Sequence, residues 1–355
     1  MATQTPLALA PPLVPPATPE RQAEPSARRP ARGWGLGGRR LLLTVLQPLG
    51  VFLPVFLFGT FVTFLLGELS GLSPAALQLG ESATPEAIAR LEHNWGLDRS
   101  FWVRYADWFG HLLTGDFGRS WANNQSVADQ IFQRASVSLS VAGLGLFIGV
   151  VGGLALGVLA VARQGSLLDR GITAFATAIS VMPAFVVGIV LVAIFAVGLG
   201  LLPSAGYVPL DRGFDTWVVH LILPAVALSL DTVAEVARQL RVGLIQANRE
   251  NYVLGAVVRG LGRRRIFWVH VLRNGLGPTL AVLGLKFANL LGGAVVLEQV
   301  FGLSGYGMFA AKSALIGDVP AVQGVLVVAV VLVVAFNVAV NVLLHRLIPT
   351  ASGGV

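Results

Sequence analysis

Residues 319–344 read Val319-Pro-Ala-Val-Gln-Gly-Val-Leu-Val-Val-Ala-Val-Val-Leu-Val-Val-Ala-Phe-Asn-Val-Ala-Val-Asn-Val-Leu-Leu344, a run without one charged side chain. The stretch Gly171–Leu210 is equally free of charge. A helix crossing a bilayer needs about 20 apolar residues. A membrane β-barrel would instead show short segments alternating between apolar and polar. Neither run alternates, so the spacing predicts an all-α integral membrane protein. Working outward, six stretches qualify as transmembrane helices: 41–66, 136–162, 172–202, 219–246, 279–300 and 322–348. Pro183 is expected to kink the third, with a hinge as the less favoured reading.

Composition points the same way. The 355 residues are 55% hydrophobic and 12% charged, with a mean hydropathy of +0.74, whereas a water-covered surface needs about a quarter of residues charged. The net charge of +7 would suggest nucleic acid in a soluble chain. Here the arginines gather beside apolar segments, where they set orientation, and no nucleic-acid partner is expected. The absence of cysteine removes disulfides, thiol catalysis and Cys-ligated metal centres.

Arg39 and Arg40 precede the first span, Arg163 and Arg170 lie between the second and third, and eight arginines from Arg238 to Arg273 surround a loop after the fourth. Arginine-rich flanks stay inside, so both termini are expected in the cytoplasm. Residues 67–135 carry eight acids against five arginines and read as a small folded extracytoplasmic segment. Trp102, Tyr105 and Trp108 there form an interfacial belt or a docking face for an exported partner, and the two readings are compatible. Residues 1–38, rich in Ala and Pro, read as a disordered cytoplasmic tail. The membrane domain covers 39–348, and 349–355 form a short C-terminal tail.

The loop over 250–278 is the most specific stretch. Small residues Gly255, Ala256 and Gly260, flanked by Tyr252 and Leu261, would let a short helix sink into a partner's groove. The bland alternative is a basic juxtamembrane loop meeting anionic headgroups. The sequence here resembles the inner-membrane permeases of binding-protein-dependent ABC importers, in the dipeptide/oligopeptide/nickel branch. Tyr252, Val253, Ala256, Gly260, Leu261, His270, Leu272, Arg273, Asn274, Leu276 and Pro278 match its loop, and Arg238-Gln-Leu-Arg241 matches the R-x-x-R before it. Gly96-Leu97-Asp98, Gly115-Asp116-Phe117-Gly118, Ser180-Val-Met-Pro183-Ala-Phe185, Gly292-Gly-Ala-Val-Val-Leu-Glu298 and Gly305-Tyr-Gly307 extend the likeness over 40–348. The departures are Leu254-Gly255-Ala256 in place of Glu-Ala-Ala, Arg259 in place of lysine, and Ile348-Pro349-Thr350 at the close.

The resemblance implies a permease subunit of the bacterial inner membrane, forming half of a path for short peptides. Its implied partners are a second permease subunit, two ABC ATPase subunits, an extracytoplasmic binding protein and membrane lipid. Tyr252, Gly255, Ala256, Arg259, Gly260 and Leu261 would form the coupling helix. Nickel chelates, glutathione and oligosaccharides are the alternative cargoes. No phosphate-binding loop of the G-x-x-x-x-G-K-[ST] type occurs, so ATP and Mg belong to the partners, and this chain is expected to bind no cofactor or metal and to catalyse nothing alone.

Ionisable residues within spans are functional candidates. Asp231 and Glu235, four apart on one helix face, could line the path or pair with the second permease subunit. Lys286 could pair with Asp231 or touch cargo, and Glu298 reads as a gate or a brace near the outer mouth. Two remoter readings compete. Gly302-Leu303-Ser304-Gly305 with His345 fits a rhomboid-like protease pattern, but the two residues fall at opposite ends of their spans. A proton-coupled secondary transporter would show inverted repeats, and none is evident.

Overall fold

The computed structural model describes residues 36–80 and 83–347, without the side chains of 36–49 and 51. The tail over residues 1–35 and the C-terminal residues 348–355 lie outside that range, so the expectations placed on them stand untouched. All the regular elements among the described residues are helices, with no strand among them. Helix α1 (Leu36–Leu69) leads to three short helices, α2 (Pro74–Leu79), α3 (Pro85–Asn94) and α4 (Phe101–Leu113). Pro74 and Pro85 open their helices where no intrahelical N–H is needed, and Ser73 and Thr84 cap them by accepting from Ala76 N and Ala87 N.

Long helices follow: α5 (Val127–Ala162), α8 (Phe214–Asn248), α12 (Gly277–Val300) and α14 (Val319–Leu347). Together with Phe52–Leu69 of α1 they make five helices long and apolar enough to cross a membrane. The helix α5 starts at Val127, well before the expected 136, because Ser126 caps it by accepting from Asp129 N and its first turns extend beyond the apolar run.

The third expected span, 172–202, is not one kinked helix. It is two, α6 (Leu167–Val181) and α7 (Ala184–Leu191, continued by a π-helical turn to Gly198), meeting at 104°. Proline disfavours helical backbone at the residue before it, and Met182 takes an extended ψ of 124°. Pro183 itself stands at ψ 137°, starting α7 instead of continuing α6. The break is a full change of direction.

The central seam joins α5 to α8. Gly145, Gly149, Gly153 and Gly157 recur every fourth residue of α5 and are all buried. A Cβ on Gly149 would stand 2.7 Å from the Thr232 side chain, and one on Gly157 would stand 3.0 Å from Ala237 O. Small residues at this spacing let two helix backbones approach within van der Waals range, the main attraction available between helices in lipid. Around the seam, Leu221, Leu228, Leu290, Leu297 and Phe301 form one apolar cluster. Phe287, Leu291, Val325 and Tyr306 form another, with the Phe287 and Phe336 rings stacked 4.2 Å apart.

The bundle has two distinct ends. At one, Asp318 accepts from Ser120 Oγ and from Trp121 N (3.1 Å), tying the α4–α5 connection to the start of α14. At the other lie the ends of α5 and α8, the start of α6, and the helices α9 (Asn251–Val258), α10 (Arg263–Arg265) and α11 (Leu272–Gly275). Between α10 and α11 runs a π-helical segment, Ile266–Val271. The helix α13 (Tyr306–Leu315) connects α12 to α14.

Candidate functional site

The short helix α9 follows α8 after a single break at Glu250, whose backbone is extended at ψ 148°. Its far end closes through Gly260, at φ +76°. There Gly260 N donates to Val257 O at 2.8 Å and Leu261 N to Ala256 O at 3.2 Å, the paired bonds of a left-handed helix stop with Leu261 folding back over Ala256.

The faces of α9 divide by helical spacing. Ala256 is buried, and Val253 and Leu261 are partly so, against Leu240, Leu244, Ala247, Ile266 and Val271. Tyr252 is half-buried, its Oη enclosed without a partner among the described residues. Outward stand Leu254 (65% exposed), Val257 (56%) and Val258 (81%), beside Gly255, Arg259 and Gly260. Of the six residues expected at the partner's groove, Ala256 and Leu261 therefore pack into the chain's own bundle, Tyr252 is half-buried, and Gly255, Arg259 and Gly260 are exposed. Leu254, Val257 and Val258, at i, i+3, i+4 spacing, form an exposed apolar face that the motif did not single out.

The intramembrane charges all have partners. Lys286 Nζ donates to Asp231 Oδ2 at 2.6 Å, joining α12 to α8. One turn on, Glu235 accepts from Arg238 and from Gln239 Nε2, the latter at 2.7 Å. Glu298, 1% exposed, accepts from Ser138 Oγ at 2.5 Å and from Met308 N at 2.7 Å. Ser138 Oγ also accepts from Tyr306 N at 3.0 Å. One carboxylate thus gathers α5, α12 and the start of α13, and glycine is required at 305 because any Cβ would collide with it.

Sequence reasoning also missed Asp169. It accepts Arg241 Nε at 2.7 Å and Nη2 at 2.8 Å as a two-pronged pair between α6 and α8, with Gly165 N donating to Oδ2 at 2.9 Å. Arg241 was visible in the R-x-x-R pattern. Its partner, 72 residues away, carried no local mark.

In the outer segment, α4 packs on α1. The Phe61 ring meets Phe101 at 5.7 Å, Trp102 at 5.9 Å and Tyr105 at 5.9 Å. Tyr105 Oη lies 3.0 Å from Thr60 Oγ1, and Thr60 O accepts from Gln323 Nε2 of α14 at 2.7 Å. Tyr105 and Trp108 are only half-exposed, and Trp102 (68%) is the most exposed of the three although Phe61 stacks on its ring. Part of the surface of the Trp102 and Tyr105 rings is therefore covered from within the chain, by α1.

Among the described residues no group of three or more His, Cys, Asp or Glu side chains could hold a metal. Ser304 lies just before α13, and His345 is in the last turn of α14, so the bundle's length separates them and no proton can pass directly between them.

Compared with known proteins, residues 149–352 match the family described as binding-protein-dependent transport system inner membrane component. Residues 41–142 match that system's N-terminal membrane component. A di/tripeptide transport system permease protein of Pseudomonas aeruginosa is 34% identical, covering 85% of this chain and 96% of its own. A dipeptide transport system permease protein of Alkalihalophilus pseudofirmus is 32% identical, covering 88% and 97%. An inward-facing structure of the MetNI methionine ABC transporter aligns at a TM-score of 0.50 with 20% identity, over 61% of this chain and 95% of that one, a likeness of fold.

Proposed function

We propose, for a chain that belongs to the family of binding-protein-dependent transport system inner membrane components, the role of a permease subunit importing short peptides. The peptide cargo is supported by the names of the relatives. As an inner-membrane component the chain is one half of a path, completed by a second permease subunit. Two ABC ATPase subunits supply ATP hydrolysis with their own Mg, and an extracytoplasmic binding protein delivers cargo. The arginine distribution favours both termini in the cytoplasm, which puts α9 on the ATPase side and residues 67–126 outside.

The observation that carries the reading is the uncovered apolar face of α9, Leu254, Val257 and Val258, on a helix rooted in its own bundle through Val253, Ala256 and Leu261. Exposed apolar side chains clustered at a bundle's end mark a contact surface, and a rooted helix transmits displacement to the spans it is rooted in. ATP-driven closure of the partners would move α9 and, with it, α8.

Co-expression with the products of neighbouring genes should yield a complex whose ATPase activity rises with the binding protein, and mass spectrometry of ligand held by that binding protein should find peptides. A transport-active homo-oligomer lacking ATPases would overturn the subunit role. A nickel chelate, glutathione or an oligosaccharide in the binding protein would replace the cargo.

A further inference from the structure

Beyond α9, the same loop carries a second exposed surface. Arg263, Arg264 and Arg265 fill α10, and all three are exposed. No acid pairs with them among the described residues. The π-helical turn that follows is two-faced. Ile266 (5% exposed) and Val271 (1%) point into the bundle, while Trp268 (53%) and Val269 (52%) point away from it. Trp268 is braced edge-on by Phe267, ring centroids 5.4 Å apart at 89°.

The depth of this turn follows from what it touches. Ile266 and Val271 share a cluster with Leu240 and Leu244 of α8, and Leu154 and Val158 of α5 pack against that cluster. These are the closing turns of α5 and α8, so under the proposed topology Trp268 and Val269 would lie beside the cytoplasmic boundary of the membrane. A tryptophan at that depth prefers the headgroup layer. Three unpaired guanidinium groups on the preceding turn complement phosphate oxygens, to which arginine donates in a two-pronged fashion.

We propose that Arg263–Arg265 and Trp268 form a binding site for the headgroup of an anionic phospholipid, separate from the ATPase-facing side of α9. The inference rests on the proposed topology for its leaflet, the cytoplasmic one, and on nothing in the peptide assignment. Near an anionic surface each arginine strengthens attraction by about fivefold, and salt within a Debye length weakens it.

The test uses the whole transporter in nanodiscs of phosphatidylcholine, into which brominated phosphatidylglycerol or brominated phosphatidylcholine is titrated. The Trp268 signal is taken as the fluorescence difference from Trp268→Phe. We expect phosphatidylglycerol to quench it at about a tenth of the mole fraction that phosphatidylcholine needs. Changing Arg263, Arg264 and Arg265 together to Gln should abolish the preference while the ATPases still co-purify. Equal quenching by both lipids would overturn the proposal. So would loss of the ATPases from the triple variant with lipid preference intact, since the arginines would then belong to the protein interface. Because the chain has no cysteine, Gly262→Cys and a membrane-impermeant thiol reagent read the leaflet independently, so an error in topology is distinguishable from an error about the lipid.

Discussion

Gly260 offers a test of α9 in which the chain's own energetics can be separated from those of the complex. Its φ of +76° lies in the left-handed region, where an L side chain costs about 1–2 kcal/mol and asparagine is the best-tolerated replacement. A Cβ at this position meets nothing within 4 Å. Gly260→Ala and Gly260→Trp should therefore lose similar stability in the isolated subunit, about 1–2 kcal/mol, with Gly260→Asn losing less. Against a total of about 5–15 kcal/mol all three remain folded. The variants part company only where a partner covers the end of α9. There an indole inserted into a close-packed contact costs a further 1–3 kcal/mol, roughly fivefold to a hundredfold in occupancy. Reconstituted complexes should show near-normal transport for Asn, a small deficit for Ala, and for Trp a loss of at least about fivefold with ATPase no longer stimulated by the binding protein. Transport by the Trp variant within twofold of the Asn variant would refute α9 as the coupling contact. Failure of the Trp complex to assemble would assign the residue to holding the ATPase.

Three further outcomes follow from the packing. Gly153→Leu should destabilise the subunit by at least about 3 kcal/mol, because even a Cβ there collides with the Val236 side chain and reaches within 2.9 Å of Val233 O; an unchanged melting temperature in detergent would refute the seam. Asp231→Ala leaves the Lys286 ammonium, 14% exposed, without its carboxylate and should lower thermal stability more than the Asp231→Ala/Lys286→Ala double variant does; a double variant as weak as the sum of the singles would show that the pair is not coupled. Asp318→Ala removes the acceptor for Ser120 Oγ and Trp121 N and should cost about 2–3 kcal/mol, read as faster proteolysis of the outer segment, and a proteolysis rate equal to wild type would count against the clamp.

The spans were legible because lipid imposes one simple demand, a long charge-free run. The expected 279–300 and 322–348 fall within a few residues of α12 and α14. Where helices continue past the apolar run, as α8 does from Phe214 to Asn248, hydropathy fades before the helix ends. Pro183 marked where the third span bends, but the 104° size of the break escaped because apolarity is the same on both sides of it, while the cause is steric and local. The α5 glycines stood in plain view, yet a glycine in a helix reads as a weakness until the facing Thr232, Val236 and Leu240 are known. The contacts of the outer aromatics were hidden for a related reason, since the sequence shows that Tyr105 is aromatic but not that Phe61 and Thr60 wait 44 and 45 positions earlier. Motif resemblance located α9 and was silent on its faces, because a pattern of residue types does not record which side of a helix meets its own bundle.

That silence bears on how displacement would travel. The inward residues Val253, Ala256 and Leu261 fix α9 to the last turns of α8, and α8 is held along its length by three unlike contacts. Glycine lets α5 lie directly on it, Asp169 grips Arg241 from α6, and Asp231 meets Lys286 from α12. Each ion pair has one largely buried partner, Asp169 or Lys286, and resists separation because leaving that charge unpaired is costly, while the glycine seam leaves no slack for sliding without collision. A force applied at Leu254 or Val258 would therefore reach α5, α6 and α12 together, and α7 with them, because its Val187 and Gly188 are buried against α8 and α12. The turn at Pro183 therefore redirects the chain without releasing it: α6 is pinned to α8 by Asp169, and α7 is held to the same helix through Val187, which is buried with Leu221 of α8 and Leu297 of α12.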